Sequence, residues 1–282
     1  MVVLVTGANG QLGQAIQSIS GKYPEIDFVF CSSSELDITN LENCQAVFST
    51  YQPHFCINAA AYTAVDKAES EPAKAFNINA NGAENLAITS KQHNTILIHI
   101  STDFVFDAYF SEGVAYYDRE FRLPLKSNLG LTETDIPFPS GVYGLTKLQG
   151  EQAIQAIWEK HFIIRTSWVY SQFGNNFMKT MLRLASERDT LSVVADQIGT
   201  PTNAVDLAEV LLKIIQSPIN QHPSSFGIYN FSNEGQCSWY DFAKEIMEID
   251  NISCNIIPIL SKDYPLPAQR PFYSVLNKNK LD

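Results

Sequence analysis

The amino-acid sequence predicts an α/β fold, in which a doubly wound parallel sheet is joined to a smaller C-terminal α+β lobe. Short apolar strands alternate with helical stretches through the first hundred residues, and this alternation is typical of βαβ units. A glycine-rich turn separates the first strand from the first helix. After residue 167 the alternation becomes irregular, which predicts one domain over residues 1–167 and a second over residues 168–282, with some segments of the second returning to the main sheet.

Hydrophobic periodicity places the individual elements. Ser140 is a candidate N-cap for the helix that follows it. Residues 108–140 are rich in glycine, proline and aromatic residues without a steady period, so we expect a long loop there. The predicted strands are residues 2–6, 27–31, 55–58, 95–100 and 161–165. The predicted helices are residues 11–19, 41–51, 72–92, 141–158, 176–187, 203–216 and 238–249.

Composition narrows the class of protein. Hydrophobic residues make up 45% and charged residues 17% of the 282 residues, which is typical of a globular protein. The net charge of −11 without a basic run disfavours nucleic-acid binding. No apolar run reaches the roughly 18 residues of a membrane span, and no secretory signal is recognisable. Five scattered cysteines without a Cys-x-x-Cys spacing favour reduced thiols, no zinc site and a cytoplasmic protein.

The turn after the first strand carries a glycine motif. Gly7, Gly10 and Gly13 lie three apart in VTGANGQLG, between a predicted strand and a predicted helix. This context favours a Rossmann-like dinucleotide site over a plain tight turn, because backbone N–H groups at the helix N-terminus can hold a pyrophosphate. The second strand ends at Cys31–Ser34 without an acidic or basic residue, so NADPH and NADH both remain open.

A candidate catalytic set follows further along the chain. Tyr143 and Lys147 are four residues apart on one helix, so they share a face. An ammonium beside a phenol is expected to lower the phenol pKa from about 10 towards 7. Thr102, between Ser101 and Asp103, follows the fourth strand, where its hydroxyl can hydrogen-bond a carbonyl oxygen. An exposed helix and a polar loop entry are the alternatives, but the order strand, hydroxyl, Tyr-x-x-x-Lys favours carbonyl reduction.

The sequence resembles the extended short-chain dehydrogenase/reductase family, and most closely its dTDP-4-dehydrorhamnose reductase branch. Besides the glycine motif, the similar blocks are NAAAYTAVDKAE (58–69), STDFVF (101–106), VYGLTKLQGE (142–151), RTSWVY (165–170), GNNFMKTMLRLA (174–185), DQIGTPT (196–202) and Arg270-Pro271. The resemblance implies reduction of the C4 keto group of dTDP-4-dehydro-L-rhamnose to dTDP-L-rhamnose, with NADPH as cofactor and NADH as the alternative.

The resemblance also implies a role for individual residues. Tyr143 would give a proton to the forming alkoxide, Lys147 would hold the nicotinamide ribose and tune Tyr143, and Thr102 would orient the carbonyl. The substrate contacts implied are Thr102, Asp103, Trp168, Asn176 and Arg270, although Trp168 could equally be a core tryptophan and Asp37 a solvated helix-entry residue. The cofactor contacts implied are Gly7, Gly10, Gln11, Leu12, Gly13, Asp37, Ile38, Ala61, Tyr62, Thr63, Tyr143 and Lys147.

Three departures from the family pattern limit what is carried over. Phe104 stands where the family often has tyrosine, so one polar contact to the sugar is absent. Residues 108–132 form a longer segment than usual. Some relatives dimerise around a magnesium ion through an acidic residue in the first helix; Gln14 and Ala15 stand there, so no metal site is predicted. The expected partner is a dTDP-linked sugar, and the chain is expected to be a monomer or a homodimer.

Two other functions remain open. One is a nucleotide-sugar epimerase or dehydratase on the same scaffold. Dehydratases of this type place an acidic pair beside the hydroxyl residue, whereas Thr102 is followed by Asp103 and then Phe104. The other is a non-catalytic NADP-binding regulatory subunit. The presence of Thr102, Tyr143 and Lys147 together argues against it.

Overall fold

A computed structural model describes residues 1–106 and 130–281. The strands are β1 (Val2–Thr6), β2 (Asp27–Cys31), β3 (Phe55–Asn58), β4 (Ile96–Thr102), β5 (His161–Thr166), β6 (Val169–Tyr170), β7 (Thr190–Val194), β8 (Ile198–Gly199), β9 (Thr202–Asn203), β10 (Gly227–Asn230), β11 (Cys237–Ser238) and β12 (Asn255–Ile259). The α-helices are α1 (Gln11–Ser20), α2 (Leu41–Tyr51), α3 (Val65–Ser70), α4 (Pro72–Phe76), α5 (Gly82–His93), α6 (Val142–Ile157), α7 (Phe177–Glu187), α8 (Ala204–Gln216) and α9 (Trp239–Ile249).

The central sheet has six strands in the order β10-β5-β4-β3-β1-β2, and every pair is parallel. The order in which strands are added reverses between β1 and β3, and open α/β sheets bind ligands at their carboxyl edge beside such a switch point. The predicted doubly wound Rossmann-like fold is confirmed.

Helices cover both faces of this sheet. Alternate residues of β1 enter different hydrophobic clusters: Val3 and Val5 pack with α1 and α8, whereas Leu4 packs with α2, α5 and α6. A strand buried on both faces reads as a continuous apolar run, and this explains the uninterrupted VVLV at the start of the chain. Residues of β1, β3 and β4 belong to both clusters, so these strands are packed between the two helical layers.

The C-terminal residues contribute to two places. Strands β7 and β12 pair in parallel and pack with α7 and α9 around their own cluster, which includes Met181, Leu191, Val193 and Ile246. Strand β10 instead extends the main sheet beside β5, and α8 packs against α1. The division of the chain at residue 168 stays a prediction.

The predicted helix at residues 72–92 differs from the structure. It starts earlier, as α3, and Glu71 interrupts it with φ −124° before α4 begins. A π-helical turn, Asn77–Asn81, then precedes α5. Within this turn Asn79 accepts from Tyr62 N–H at 2.8 Å and donates to Tyr62 O at 3.1 Å. The irregular turn therefore anchors the loop after β3, a role that periodicity does not reveal.

The predicted Ser140 cap is wrong. Helix α6 begins one residue later, with Gly141 as N-cap and no side-chain cap from it. The acceptor comes from a distant helix, because Glu69 Oε1 accepts from Val142 N–H at 2.8 Å. Of the predicted loop at 108–140, residues 107–129 lie outside the described residues. Residues 130–140 contain no helix or extended strand, and Leu131 bridges to Leu276.

Two further observations concern the whole described part of the chain. No helix within it is long and apolar enough to cross a membrane. All five cysteines fall within it, and each carries a free thiol.

Candidate active site

A cavity of about 760 Å³ opens at the carboxyl edge of the central sheet. Its walls come from the turn after β1, the loop after β3, the end of β4, helix α6 and the segment after β5. The structure brings together most of the predicted site residues on these walls. They are Gly10, Gln11, Leu12, Ala61, Thr63, Thr102, Asp103, Tyr143, Lys147, Trp168 and Arg270.

The glycine motif forms one end of the cavity. Gly10 is the N-cap of α1 and offers no side chain, so the first backbone N–H groups of that helix, which have no intrahelical partners, face the opening. Gly7 has φ +64°, which favours glycine. A Cβ on Gly13 would lie 2.5 Å from Gly7 O. The turn is therefore tight enough to bring main-chain donors to an anionic ligand.

The hydroxyl, phenol and amine groups meet because α6 approaches the end of β4 closely. A Cβ on Gly144 would lie 2.1 Å from Phe104 O, so only glycine allows this packing. Phe104 and Tyr143 then form an edge-to-face ring contact with centroids 5.4 Å apart. Thr102 Oγ1 accepts from Phe104 N–H at 3.2 Å and donates to Asp103 Oδ1 at 3.0 Å.

The pKa of the Tyr143 phenol differs from the value that the sequence predicts. Burial raises the pKa of Tyr143 to about 12, the Asp103 carboxylate adds to this rise, and a hydrogen bond with Thr102 opposes it. The expectation that Lys147 lowers this pKa towards 7 is therefore not met. A buried phenolate lacks solvation, and this penalty outweighs the local hydrogen bond.

The amine and the carboxyl group beside the phenol also have perturbed acidities. Burial lowers the pKa of Lys147 to about 8, although nearby Glu151 acts in the opposite direction. Lys147 Nζ donates to Ile100 O at 2.7 Å. Burial raises the pKa of Asp103 to about 6 against hydrogen bonds from Ser274 and Thr102. Such a cluster of shifted groups in a cleft is typical of an active site.

Trp168 stands at the side of the cavity in an uncommon conformation. Its φ is +47°, and its ring stacks on Trp239 with centroids 3.5 Å apart and planes 9° apart. A Cβ on Gly199 would lie 2.5 Å from the Trp168 ring. Glycine at 199 and the partner ring together hold Trp168 against the opening, so it is a wall residue and not a core tryptophan.

A second cavity of about 590 Å³ adjoins the first. Arg270, Trp168 and Asp103 line both. The Arg270 guanidinium is fixed by Asp66, with Nη2–Oδ2 at 2.7 Å and Nη1–Oδ1 at 3.0 Å, and Arg270 in turn holds the pKa of Asp66 below its usual range. The two adjoining cavities suit an elongated ligand. The Arg270 guanidinium supplies a positive charge where the cavities meet.

Several predicted residues do not line the cavity. Gly7 and Gly13 shape the turn from behind. Asp37 is exposed and accepts from Thr39, Ile38 is buried against Gly82, and Tyr62 donates its hydroxyl proton to Glu71 at 2.9 Å. Asn176 caps α7 and donates to Gln11 Oε1 at 2.7 Å.

The sequence did not predict some of the residues that line the cavity. Asn175, rather than Asn176, lines the cavity, together with Phe177 and Trp239. The GNNF block indicates that an asparagine lines the cavity, but the sequence alone does not decide between Asn175 and Asn176. Trp239 gave none, because its contact with Trp168 depends on the fold.

Within residues 1–106 and 130–281, no three His, Cys, Asp or Glu side chains are grouped so that they could hold a metal ion. In the first helix, Gln14 donates to Asn9 O at 2.8 Å. The predicted lack of a metal site stays a prediction.

Comparison with known proteins identifies the family. Residues 1–282 match the family model described as RmlD substrate binding domain. The dTDP-4-dehydrorhamnose reductase of Aggregatibacter actinomycetemcomitans is 40% identical over an alignment of 289 positions, which covers 99% of this chain and 91% of that protein. Solved dTDP-4-dehydrorhamnose reductases from Clostridium acetobutylicum and, in complex with NADP, from Bacillus anthracis are 40% and 41% identical. Each has a TM-score of 0.87 and covers 99% of this chain and 91% of its own. The chain therefore belongs to the dTDP-4-dehydrorhamnose reductase family.

Proposed function

We propose that the chain reduces the C4 keto group of dTDP-4-dehydro-L-rhamnose to dTDP-L-rhamnose with NADPH. The observation that carries this proposal is the placement of Thr102, Tyr143 and Lys147 on one cavity whose far end is the Gly10 turn. A hydroxyl, a phenol and an amine beside a dinucleotide-binding turn are the groups that carbonyl reduction requires.

The residues present fit a dinucleotide. The uncapped start of α1 offers backbone donors, and added Cβ atoms on Gly7 and Gly13 would lie within 3 Å of neighbouring backbone atoms. Gly10, Gln11 and Leu12 would hold the pyrophosphate, and Ala61 and Thr63 would line the path towards Lys147. NADPH is favoured because the Bacillus anthracis relative is described with NADP.

The chain's own residues perform the proton chemistry. When bound, the reduced nicotinamide supplies the hydride. The Thr102 hydroxyl would turn from Asp103 Oδ1 to the sugar carbonyl, donate its hydrogen bond there and stabilise charge on the carbonyl oxygen. Tyr143, whose pKa of about 12 keeps it protonated at neutral pH, gives its proton to the alkoxide. Lys147 holds the ribose through the donors that Ile100 does not occupy.

The substrate is proposed to occupy both cavities. Its sugar would lie beside Thr102 and Trp168, and its diphosphate near Arg270, where the cavities meet. Arg270 is already paired with Asp66, so its guanidinium is oriented before the substrate arrives. Asp103 would contact the sugar beside Thr102. A monomeric or homodimeric state and a cytoplasmic location stay predictions.

The reductase assay tests this function. The purified chain is incubated with dTDP-4-dehydro-L-rhamnose generated in situ, and NADPH absorbance and sugar products are followed. We expect one NADPH to be consumed per dTDP-L-rhamnose formed. Cofactor binding without turnover would instead support a regulatory subunit, and a changed sugar without NADPH consumption would support an epimerase.

The role of Tyr143 is tested separately. Tyr143→Phe should lower kcat by at least about 10²-fold, the scale of general acid catalysis, with little change in NADPH affinity. Tyr23→Phe is the matched control, since Tyr23 packs beside α1 outside the cavity and should leave kcat unchanged. A near-normal rate for Tyr143→Phe would exclude the phenol as the acid.

A further inference from the structure

A buried carboxyl group holds the hydroxyl of Thr102. Thr102 Oγ1 donates to Asp103 Oδ1 at 3.0 Å and accepts from Phe104 N–H at 3.2 Å. Thr102 is 6% exposed and Asp103 is 2% exposed. Among the residues that the structure describes, none offers a hydrogen-bond partner to the other carboxyl oxygen, Asp103 Oδ2. The carboxyl group is therefore bound to the Thr102 hydroxyl through one oxygen and unsatisfied at the other.

We propose that Asp103 is a positioning residue: its neutral form donates to Thr102 Oγ1 and so directs the Thr102 hydroxyl hydrogen to the ketone. This inference rests on the proposed function for the identity of the ketone. The hydrogen-bonding argument stands on the side chains of Thr102, Asp103 and Tyr143 and on the backbone amide of Phe104.

The Thr102 hydroxyl can make few hydrogen bonds. A threonine hydroxyl has one hydrogen to donate and two lone pairs that accept. The Phe104 amide occupies one lone pair in every state, because a backbone N–H can only donate. Asp103, Tyr143 and a bound ketone then compete for the other lone pair and the single hydrogen. The protonation of Asp103 decides this competition.

An ionised Asp103 takes the hydroxyl hydrogen. A carboxylate can only accept, so the contact of 3.0 Å fixes the Thr102 hydrogen on Oδ1. The hydrogen bond between Tyr143 and Thr102 then uses the second lone pair, and the phenol hydrogen points to Oγ1. Turning the hydroxyl towards a ketone would bring two acceptors, Oγ1 and Oδ1, together. Neither hydrogen is available to the ketone in this state.

A neutral Asp103 releases both hydrogens. Its O–H group can donate to the second lone pair of Thr102 across the same contact. The hydroxyl hydrogen of Thr102 and the phenol hydrogen of Tyr143 can then both point to one ketone oxygen in the cavity. In this arrangement Thr102 accepts two hydrogen bonds and donates one, so its hydroxyl is fully satisfied.

The surroundings of Asp103 bring its neutral form within reach of working pH. Burial raises the pKa of Asp103 to about 6, and hydrogen bonds with Ser274 and Thr102 oppose this rise. The unsatisfied Oδ2 atom acts in the same direction as burial, because a buried carboxylate oxygen without a donor is costly.

The other charged or titratable groups on the walls of the two cavities come from several elements. They are Tyr143 and Lys147 of α6, Arg188 after α7, and Tyr264 and Arg270 of the C-terminal segment. The pKa of Lys147 is about 8 and that of Tyr143 about 12, so both keep their protons at pH 7. Arg270 is paired with Asp66. Arginine and tyrosine side chains do not ordinarily titrate between pH 5.5 and 7.5.

The consequence is a reduction that slows as Asp103 ionises. Asp103 keeps its proton throughout the reaction, since the alkoxide receives its proton from Tyr143. Asp103 therefore acts on the ketone through Thr102, by leaving the Thr102 hydrogen free.

Carbon-13 NMR tests the coupling of the two side chains. The full chain is labelled with aspartate carrying ¹³C at its carboxyl carbon, and the Asp103 signal is identified by its loss in Asp103→Asn. The titration midpoint should lie near pH 6. It should rise by about one pH unit in Thr102→Val, because the carboxylate loses a donated hydrogen bond. Thr50→Val is the control, since the Thr50 hydroxyl donates to Ala46 O and should not affect the midpoint.

A midpoint near pH 4, or the same midpoint in the wild type and in Thr102→Val, would overturn the proposal. This measurement needs neither sugar nor cofactor. A chain that failed the reductase assay would therefore still show whether the Asp103 proton and the Thr102 hydroxyl are coupled.

The pH dependence of the rate tests the catalytic consequence. With saturating NADPH, kcat/KM for dTDP-4-dehydro-L-rhamnose should fall about 20-fold from pH 5.5 to 7.5, following the neutral fraction of Asp103. Asp103→Asn has no proton to lose, so its kcat/KM should vary by less than about 3-fold. Asp27→Asn is the control, because Asp27 is exposed at the start of β2 and its variant should follow the wild type.

Because all three proteins are assayed with the same substrates, titration of the cofactor or the sugar nucleotide affects them equally. A flat profile for the wild type, or a fall in Asp103→Asn as steep as in the wild type, would contradict the proposal.

Discussion

Arg165 donates to both carboxylate oxygens of Glu151, from Nε at 3.0 Å and from Nη2 at 2.6 Å, and neither side chain is more than 1% exposed. The pair joins the end of β5 to the middle of α6, one helical turn after Lys147. The Phe106 ring lies 4.9 Å from the guanidinium carbon. This contact fixes the helix that carries two of the three proposed catalytic groups.

Removing the Glu151 charge should destabilise the fold. In Glu151→Gln the buried guanidinium loses its counter-ion, and breaking a buried pair in this way costs about 3 to 5 kcal/mol. Urea unfolding at pH 7 measures the loss. The control is Glu187→Gln, since Glu187 pairs with Arg183 at the surface and its loss should cost at most about 0.5 kcal/mol. Equal effects of the two changes would contradict this account of the pair.

Cofactor affinity should depend on the tight glycine turn. In Gly13→Ala the new Cβ would meet Gly7 O at 2.5 Å and Ala8 Cα at 2.6 Å, so the turn must open and the amides move. We expect NADPH affinity to fall at least about 10-fold, measured by fluorescence titration. Gly21→Ala, at the other end of α1, is the matched control. A Cβ on Gly21 would have no atom within 4 Å, so this variant should bind NADPH normally. Normal NADPH binding by Gly13→Ala would show that the turn does not hold the cofactor.

Stability should depend on pH through Asp103. Burial raises its pKa to about 6, so the folded protein binds this proton more tightly than the unfolded chain does. The associated stability is fully present below about pH 4 and is lost as the pH rises through the folded-state value. Relative to the wild type, Asp103→Asn should therefore gain about 2 kcal/mol of unfolding free energy between pH 4 and pH 7.

Urea unfolding of both proteins at the two pH values measures this gain. Asp263→Asn, which changes an exposed carboxyl group, should show no pH-dependent gain. If Asp103→Asn differed from the wild type by the same amount at pH 4 and pH 7, the carboxyl group would not have the proposed shift.

Trp239 should matter for substrate binding although it is distant in sequence from Trp168. In Trp239→Leu the stacked partner at 3.5 Å is lost, and Trp168 is held less firmly against the cavity. We expect KM for the sugar nucleotide to rise about 10-fold, the scale of one aromatic pair, with a smaller change in kcat. Trp158→Phe removes a core hydrogen bond to Thr95 O and should lower stability without raising KM. A Trp239→Leu enzyme with unchanged KM would remove this residue from the site.

Local patterns in the sequence carried much of the fold. The run VVLV, the glycines of the first turn and the spacing of Tyr143 and Lys147 each constrain near neighbours, so periodicity and turn chemistry were enough to place them. The same reasoning failed where a distant group decides the local structure. Glu69 replaces Ser140 as the acceptor at the start of α6, and no local signal in residues 138–142 reveals it.

The site was predicted less completely for the same physical reason. Thr102 and Asp103 could be placed on the cavity because they lie at the carboxyl end of a parallel strand, where such sheets open a crevice. His99 sits three residues earlier in an apolar strand, where a histidine is usually a satisfied core residue, and only the contacts with Asn58 and Lys147 distinguish it. The salt bridge between Asp66 and Arg270 joins residues 204 positions apart in the sequence, so no local pattern predicts it.

Isotope transfer tests the central claim most directly. The chain is incubated with dTDP-4-dehydro-L-rhamnose and NADPH carrying deuterium at both positions of nicotinamide C4, and the sugar product is analysed by mass spectrometry and NMR. The account predicts dTDP-L-rhamnose with one deuterium, located at C4 of the sugar. Product without deuterium, or deuterium at another sugar carbon, would contradict it.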